Sequence, residues 1–448
     1  MTSAIEAIAA WSHSAGAFPP RARKRAIEAI ADTVGCMVAG VDDFSTQAVR
    51  RAVVGQISTT GESPVIGGGR APAATAALVN GTAAHALDYD DNFHPAISHA
   101  SAVMVPALLA AAAPLNISGS ELVDAYIVGL EAQAAIGVGV NPSHYTVGWH
   151  STSTCGAIGT AAGVSRLLGL DAAATARAMS MAVSSAAGVK GQFGTPAKPF
   201  HAGMAARNAV EAVAFGSAGL TGRLDILEAP QGFRDLFGGP DATGWDGLKL
   251  AQPLAIEGHG VIPKRHPCCG STHYVVDMVL DLRAQHGFAA DDVAALDCLV
   301  GIANARNLSY ADPQDEMQAR FSMHYCVALA LVQDRLSLAD FTPERIARPE
   351  IRQLLPLTTM TARSREAELA GGRLPHEVVI RLKDGTELKA ERQHAKGSIA
   401  DPFDDSDRAA KFADCCVRLG DDATAQLYGA LTRLDRQADL AFLAPVFT

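Results

Sequence analysis

The side chains best suited to chemistry crowd into one stretch, His85-Ala-Leu-Asp88-Tyr-Asp90-Asp91-Asn92-Phe-His94-Pro-Ala-Ile-Ser-His99, which sets three imidazoles and three carboxylates between two apolar runs. Charge taken out of water needs partners. The stretch is therefore either a solvated loop, with Asp88 and Asp91 capping helices, or the lining of a polar cavity in which imidazole and carboxylate move protons. The density of titratable groups favours the cavity. A metal reading also exists, because His85 and Asp88 sit three apart and such ligands suit zinc or manganese. No second cluster in the sequence completes a ligand set.

Three further blocks carry candidates. In Gly148-Trp-His150-Ser151-Thr-Ser-Thr-Cys155-Gly156 a histidine precedes a row of hydroxyls that opens a helix. Hydroxyls and free N–H groups at a helix N-terminus suit a carboxylate or phosphate, so His150 and Ser151 are candidates, although Ser153 and Thr154 could simply cap that helix. Gly194-Thr-Pro-Ala-Lys198-Pro-Phe-His201-Ala-Gly203 aims one lysine and one histidine from a constrained backbone. Lys264-Arg265-His266-Pro-Cys268-Cys269-Gly-Ser-Thr-His273 joins basic groups, thiols and histidines. Its bland alternative is a basic turn with a core cysteine pair. Asp90-Asp91-Asn92-Phe93-His94 imitates the start of the Asp-Asp-x-x-Asp helix with which terpenoid synthases hold magnesium. His94 stands where the last carboxylate is needed, and no second such motif follows.

The elements that must position these residues are mostly helices. From about residue 20 to 250 apolar positions recur at helical spacing, as in Ile27, Ile30, Ala31, Val34, Met37 and Val38 behind Pro19-Pro20. Ser118 and Glu121 have capping-box spacing and predict a helix start. Gly156, Gly159 and Gly163 are costly in a helix unless backbones approach closely there. After about Leu254 the texture changes, and Lys383-Asp384-Gly385-Thr386 between alternating runs predicts a hairpin. Helical texture returns beyond Pro402. The expected fold is mainly α: a large helical domain over 1–254 and 403–448, interrupted by a smaller α+β domain over 255–402.

The 448 residues are 48% apolar, and 37 basic against 47 acidic side chains give a net charge of −10. That composition excludes disorder, and the acidic balance argues against a nucleic-acid or anionic-membrane surface. A small partner is expected instead. The longest greasy run, Ala102–Leu115, is too short to span a bilayer. The N-terminus lacks the features of a signal peptide, and the eight scattered cysteines include two vicinal pairs that bridge poorly. A cytoplasmic location is expected.

In this order the blocks resemble the MmgE/PrpD family, which includes 2-methylcitrate dehydratase, cis-aconitate decarboxylase and iminodisuccinate epimerase. The resemblance rests on Asp88–His99 with Pro106-Ala-Leu-Leu-Ala behind it, Lys198–Gly203, Lys264–His273, Ala319-Arg-Phe-Ser322 and the closing Gly397, Pro402 and Lys411-Phe412. It implies a homodimer, a site in the cleft between the two domains, no metal or organic cofactor, and a small di- or tricarboxylate substrate. Carried over from the decarboxylase branch, the site positions fall on Asp88, Asn92, His99, His150, Lys198, Lys264 and Tyr310. Two departures stand out: Asn92 replaces a threonine, and the loop between His94 and His99 is one residue longer.

The shared difficulty of such substrates is a C–H bond beside a carboxylate. Lys198, Lys264 and Arg265 are the candidates to neutralise the substrate. His99 and His150 are expected to move protons with Asp88 orienting one of them, and Tyr310 to donate to a leaving group. Loss of hydroxide makes a dehydratase, the reading adopted. Loss of carbon dioxide makes a decarboxylase. Return of the proton to the opposite face makes an epimerase, for which Cys268 or Cys269 is the expected second base. A member that binds carboxylates without turnover is the remaining alternative.

Overall fold

The computed structural model describes residues 2–369 and 374–448, which divide into two compact units. The first comprises residues 1–192, 196–263 and 408–448, the second 193–195 and 264–407. The chain thus leaves the helical unit at Lys264, not after Leu254. Residues 255–263 stay because their backbone is tied there: Glu131 accepts from the N–H groups of Ala251 and Ala255 at 2.6 Å each, and Ile262 exchanges two hydrogen bonds with Asn92. In the second unit, Gly194 lies so close to Tyr310 that an added Cβ would be 2.5 Å from its hydroxyl.

The first unit is a helical assembly: α1 (Ala4–Ser14), α2 (Pro20–Ala39), α3 (Ala73–His85), α4 (Ala100–Ala112), α5 (Gly119–Val138), α6 (Ser151–Leu167), α7 (Ala172–Ser184) and α8 (Ala197–Ser217). The proline-led stripe became α2, with Pro20 at its start, and the Ser118–Glu121 capping box opens α5. The greasy run is α4, every residue of which is buried despite Pro106. No described helix is long and apolar enough to cross a membrane.

Small residues decide how these helices cross. α3 packs on α8 where Gly81 meets Gly203, so that a Cβ on Gly203 would lie 2.2 Å from the carbonyl of Leu78. α5 packs on α6 with Gly159 against the backbone of Gln133. Backbone-to-backbone approach recovers in packing what glycine loses in helix propensity.

The second unit holds α9 (Gly270–His286), α10 (Met323–Val332) and a four-stranded sheet of β1 (Val293–Val300), β2 (Thr358–Ala362), β3 (His376–Leu382) and β4 (Glu387–Arg392), in the order β2-β1-β3-β4. β1 runs parallel to β2 and antiparallel to β3. The expected hairpin joins β3 to β4, with Arg381 paired to Glu387 and Gly385 at φ +92°. The chain then re-enters the first unit through α11 (Asp405–Cys415) and α12 (Asp421–Leu431).

Candidate active site

Four helix ends of the first unit bring its reactive side chains together. His85 is the last residue of α3, His99 and His150 immediately precede α4 and α6, and Lys198 and His201 lie in the first turns of α8. The ring centroids of His85 lie 4.6 Å from His99 and 5.9 Å from His150, and those of His99 and His150 are 6.4 Å apart. An ammonium in the first turn of a helix opposes the helix dipole, so Lys198 needs compensation. It obtains it from Asp88, its direct ion-pair partner.

Lys198 Nζ also reaches His85 Nε2 at 3.0 Å. An ammonium has only protons to donate, which makes His85 Nε2 the acceptor and leaves the ring proton on Nδ1. That Nδ1–H donates to Asp90 Oδ2 at 2.8 Å. The result is a buried row, Asp90, His85, Lys198, Asp88, in which the imidazole is held neutral. Burial pushes the His85 pKa down, outweighing the pull of Asp90, and the charge of Lys198 acts in the same direction.

His99 is fixed differently. Its Nδ1 lies 2.7 Å from the carbonyl of Asp91, which can only accept, so Nδ1 carries the proton and Nε2 the lone pair. Its backbone N–H donates to Thr152 Oγ1 at 3.0 Å, and its side chain is 16% exposed where those of His85 and Asp90 are fully covered. His99 is therefore the ring of this row most open to a ligand. The side chain of Asp91 points away into a buried polar pocket: Oδ1 accepts from the Ser101 N–H, and Ser101 Oγ is 2.7 Å from the Tyr126 hydroxyl. Burial raises the Asp91 carboxyl to about 7.

His150 is buried, its N–H donating to the carbonyl of Gly188, and its Nδ1 is 3.1 Å from Nδ1 of His201. Burial first, then Lys198 and neighbouring imidazoles, holds His150 well below the ordinary histidine range; burial also pulls His201 down to about 4. Near neutrality these rings are neutral.

The sequence reading paired Asp88 with a histidine. The structure pairs it with Lys198 and gives His85 to Asp90, Asp88 sitting at φ +52° where the chain doubles back after α3. His85, Asp90 and His201 were not among the expected site residues. The signal was present in the three-residue spacings His85/Asp88 and Lys198/His201, which place side chains on one helical face or turn.

The other expected positions divide between the two units. Ser151 is wholly buried, its Oγ 3.5 Å from Asn141 Oδ1. Its neighbours Thr152 and Thr154 bond to the His99 backbone and to His144 Nε2, so the hydroxyl row braces the fold. Asn92 is half-buried and pairs through its backbone with Ile262. Lys264, Arg265, Cys268, Cys269 and Tyr310 belong to the second unit. Lys264 is buried there, and Arg265 pairs with Asp277 at 3.0 Å, sharing that carboxylate with His266 and Arg392. Cys268 lies in the apolar core with Sγ 3.1 Å from Thr272 Oγ1, and Cys269 precedes α9 and is only 9% exposed.

One group, His85, Asp90 and His99, has the spacing of a cation site. Its donors do not suit a metal: Nδ1 of each histidine is already a proton donor, to Asp90 and to the Asp91 carbonyl, and an ammonium occupies His85 Nε2. What the arrangement suits is an anion. Three long helices begin at His99, His150 and Lys198, each with the positive end of its dipole at this cluster.

Comparison with known proteins also divides the chain in two. The family model for the MmgE/PrpD N-terminal domain matches residues 6–245, and that for the MmgE/PrpD C-terminal domain matches residues 266–432. The cis-aconitate decarboxylase of Homo sapiens is 28% identical over 396 residues, covering 84% of this chain and 79% of that protein. The cis-aconitate decarboxylase of Mus musculus is 28% identical over 386 residues, covering 84% and 78%. That of Aspergillus terreus is 24% identical over 390 residues, covering 82% and 79%.

Proposed function

From the premise that this chain belongs to the MmgE/PrpD family and is an enzyme of it, we propose that it is a cofactor-independent lyase of the dehydratase type. Its substrate is a small hydroxylated di- or tricarboxylate, from which it removes a proton next to a carboxylate and then hydroxide. The observation that carries this reading is Lys198 locked between Asp88 and His85 beside His99 and His150.

The chemistry follows from the tautomers. A carboxylate binds against the Lys198 ammonium and the helix N-termini, which neutralise the charge that grows on it as the adjacent C–H bond breaks. In a site this dry, each such contact is stronger than in water. His99, with its lone pair on Nε2 and its ring partly open, takes the carbon proton. His150, whose ring centroid lies 5.9 Å from that of His85 and 6.4 Å from that of His99, supplies or accepts the second proton. Lys264→Met and Tyr310→Phe test the roles that the resemblance gives these second-unit residues.

The relatives' names support a second reading, decarboxylation of an unsaturated tricarboxylate, which needs the same cationic cradle and carbon acid–base groups. Elimination is preferred because this chain has Asn92 in place of a threonine and a longer 94–99 loop, in which Ile97 takes up a left-handed backbone at φ +46°. One experiment separates the readings: incubation with hydroxylated, amino- and unsaturated polycarboxylates in deuterated water. A conjugated alkene without gas supports elimination. Carbon dioxide with deuterium at the protonated carbon supports decarboxylation, and deuterium uptake at the stereocentre with loss of optical rotation and no alkene supports epimerisation. Prolonged chelation should leave turnover unchanged, and loss restored by a divalent cation would sink the cofactor-independent reading.

We further propose a cytoplasmic location, since the eight cysteines are buried and form no disulfide, and expect a homodimer, which sedimentation at micromolar concentration checks.

A further inference from the structure

His201 has no role in the reaction above, and its contact with His150 is chemically particular. The two Nδ1 atoms are 3.1 Å apart. Two imidazoles can meet this way only by sharing one proton, one ring donating and the other accepting. The neutral pair has two arrangements. With the shared proton on His150, its Nε2 carries a lone pair and is a base, while His201 is the Nε2–H tautomer. With the proton on His201, His150 carries its hydrogen on Nε2 and is an acid.

We propose that His201 is a positioning residue that sets the tautomer of His150 and exchanges its proton with solvent, so that the two rings form one relay between the substrate and water. The proposal rests on the reading that His150 transfers protons in the reaction.

The steps balance. When His150 receives a proton at Nε2, its Nδ1 proton crosses to Nδ1 of His201, and the Nε2 proton of His201 leaves to water. His150 is then neutral and an acid. When it gives its Nε2 proton to a departing hydroxide, the shared proton returns and His201 recovers one from solvent. The carbon proton leaves to solvent from His99, and after product release His150 takes a solvent proton at Nε2 while His201 gives one up, so that over a turnover by elimination the substrate loses one water and the relay is reset.

The surroundings explain why such a relay is needed. An imidazolium at His150 would face Lys198 from α8, His85 from the end of α3 and His99 from the start of α4, with Asp88 and Asp90 already bonded to Lys198 and His85. Charge retained on His150 would therefore be repelled, and passing the proton on removes it. The direction is set by exposure: His201 is 7% exposed against 1% for His150. Gly188, at φ +112°, takes the His150 N–H on its carbonyl and lies flat against the second ring, where a Cβ would come within 3.4 Å of His201 Cγ.

The test uses the full-length chain with His201→Phe and His201→Gln, on whichever carboxylate the wild type turns over. The expected result is a loss of kcat of about 100-fold, little change in KM, a pH profile displaced from that of the wild type, and partial recovery of kcat when free imidazole is added. Unchanged kcat, or a loss in folded variants that imidazole does not restore, overturns the proposal. A second measurement needs neither variant nor substrate. In wild-type protein with 15N-labelled histidine, the shared proton should appear as an N–H resonance coupled to two imidazole nitrogens, and its absence overturns the pairing. If that signal is present and no carboxylate is turned over, the lyase reading fails while the shared proton stands.

Discussion

Lys198 and Asp88 illustrate how a buried ion pair makes itself felt twice. Removing one partner strands the other charge, which costs about 3–5 kcal/mol, and removing Lys198 also takes away the cation that the proposed reaction needs. Lys198→Met should therefore lower turnover by about 100-fold or more and lower the unfolding free energy by several kcal/mol. The double variant Lys198→Met with Asp88→Asn should recover much of the stability and none of the activity, as denaturant titration beside an activity assay would show. Asp91 makes a separate prediction. Its carboxyl is raised to about 7 by burial. A folded-state pKa above the unfolded value means that its stabilising contribution is complete below about pH 4 and is lost as pH rises through about 7, a swing of up to about 4 kcal/mol. Asp91→Asn should abolish that part of the pH dependence and leave the protein more stable than wild type in mildly alkaline buffer; melting curves that fall in parallel across this range would contradict it. Part of this chemistry was legible in the residues, since lysine, aspartate and histidine at these spacings announce proton transfer. Which carboxylate serves which base was not, because the left-handed turn at Asp88 reassigns partners between residues two apart.

At the level of elements, the site is only as well placed as the crossing of α3 and α8, which bring His85 and Asp88 to Lys198 and His201. That crossing depends on Gly81 and Gly203. Gly203→Ala puts a methyl 2.2 Å from the Leu78 carbonyl and 2.3 Å from Thr82 Oγ1, both on α3. The helices must separate, at a cost of about 1–3 kcal/mol, and turnover should fall together with stability. Gly156→Ala meets only side-chain atoms, of Val103 at 3.3 Å and Gln133 at 3.6 Å among its three nearest, and should be milder on both counts. If the two variants behaved alike in thermal melts and activity, the close crossing would not be what positions the site. Glycine at helical spacing signalled close packing in the sequence. The identity of the facing helix was absent from it, because the partner surface is a carbonyl of residues more than a hundred positions away.

Across the whole chain, the C-terminal segment returns to the first unit and reaches the site's support. Lys411 on α11 donates to Asp32 on α2 and to the Tyr89 carbonyl at 2.8 Å, between the two aspartates that hold Lys198 and His85. Lys411→Met should destabilise by about 3 kcal/mol and reduce turnover without touching substrate. Full activity in a folded Lys411→Met protein would show that the 88–90 turn holds itself. The sequence was enough for the mainly helical class, the change of texture before the hairpin and the family, because periodicity, capping and residue type are local properties. It could not supply the boundary at Lys264, the pairing of Asp90 with His85 or the contact of His150 with His201. Those depend on distances between helix ends brought together by packing, and side-chain protons are assigned only once the neighbouring donor or acceptor is in place.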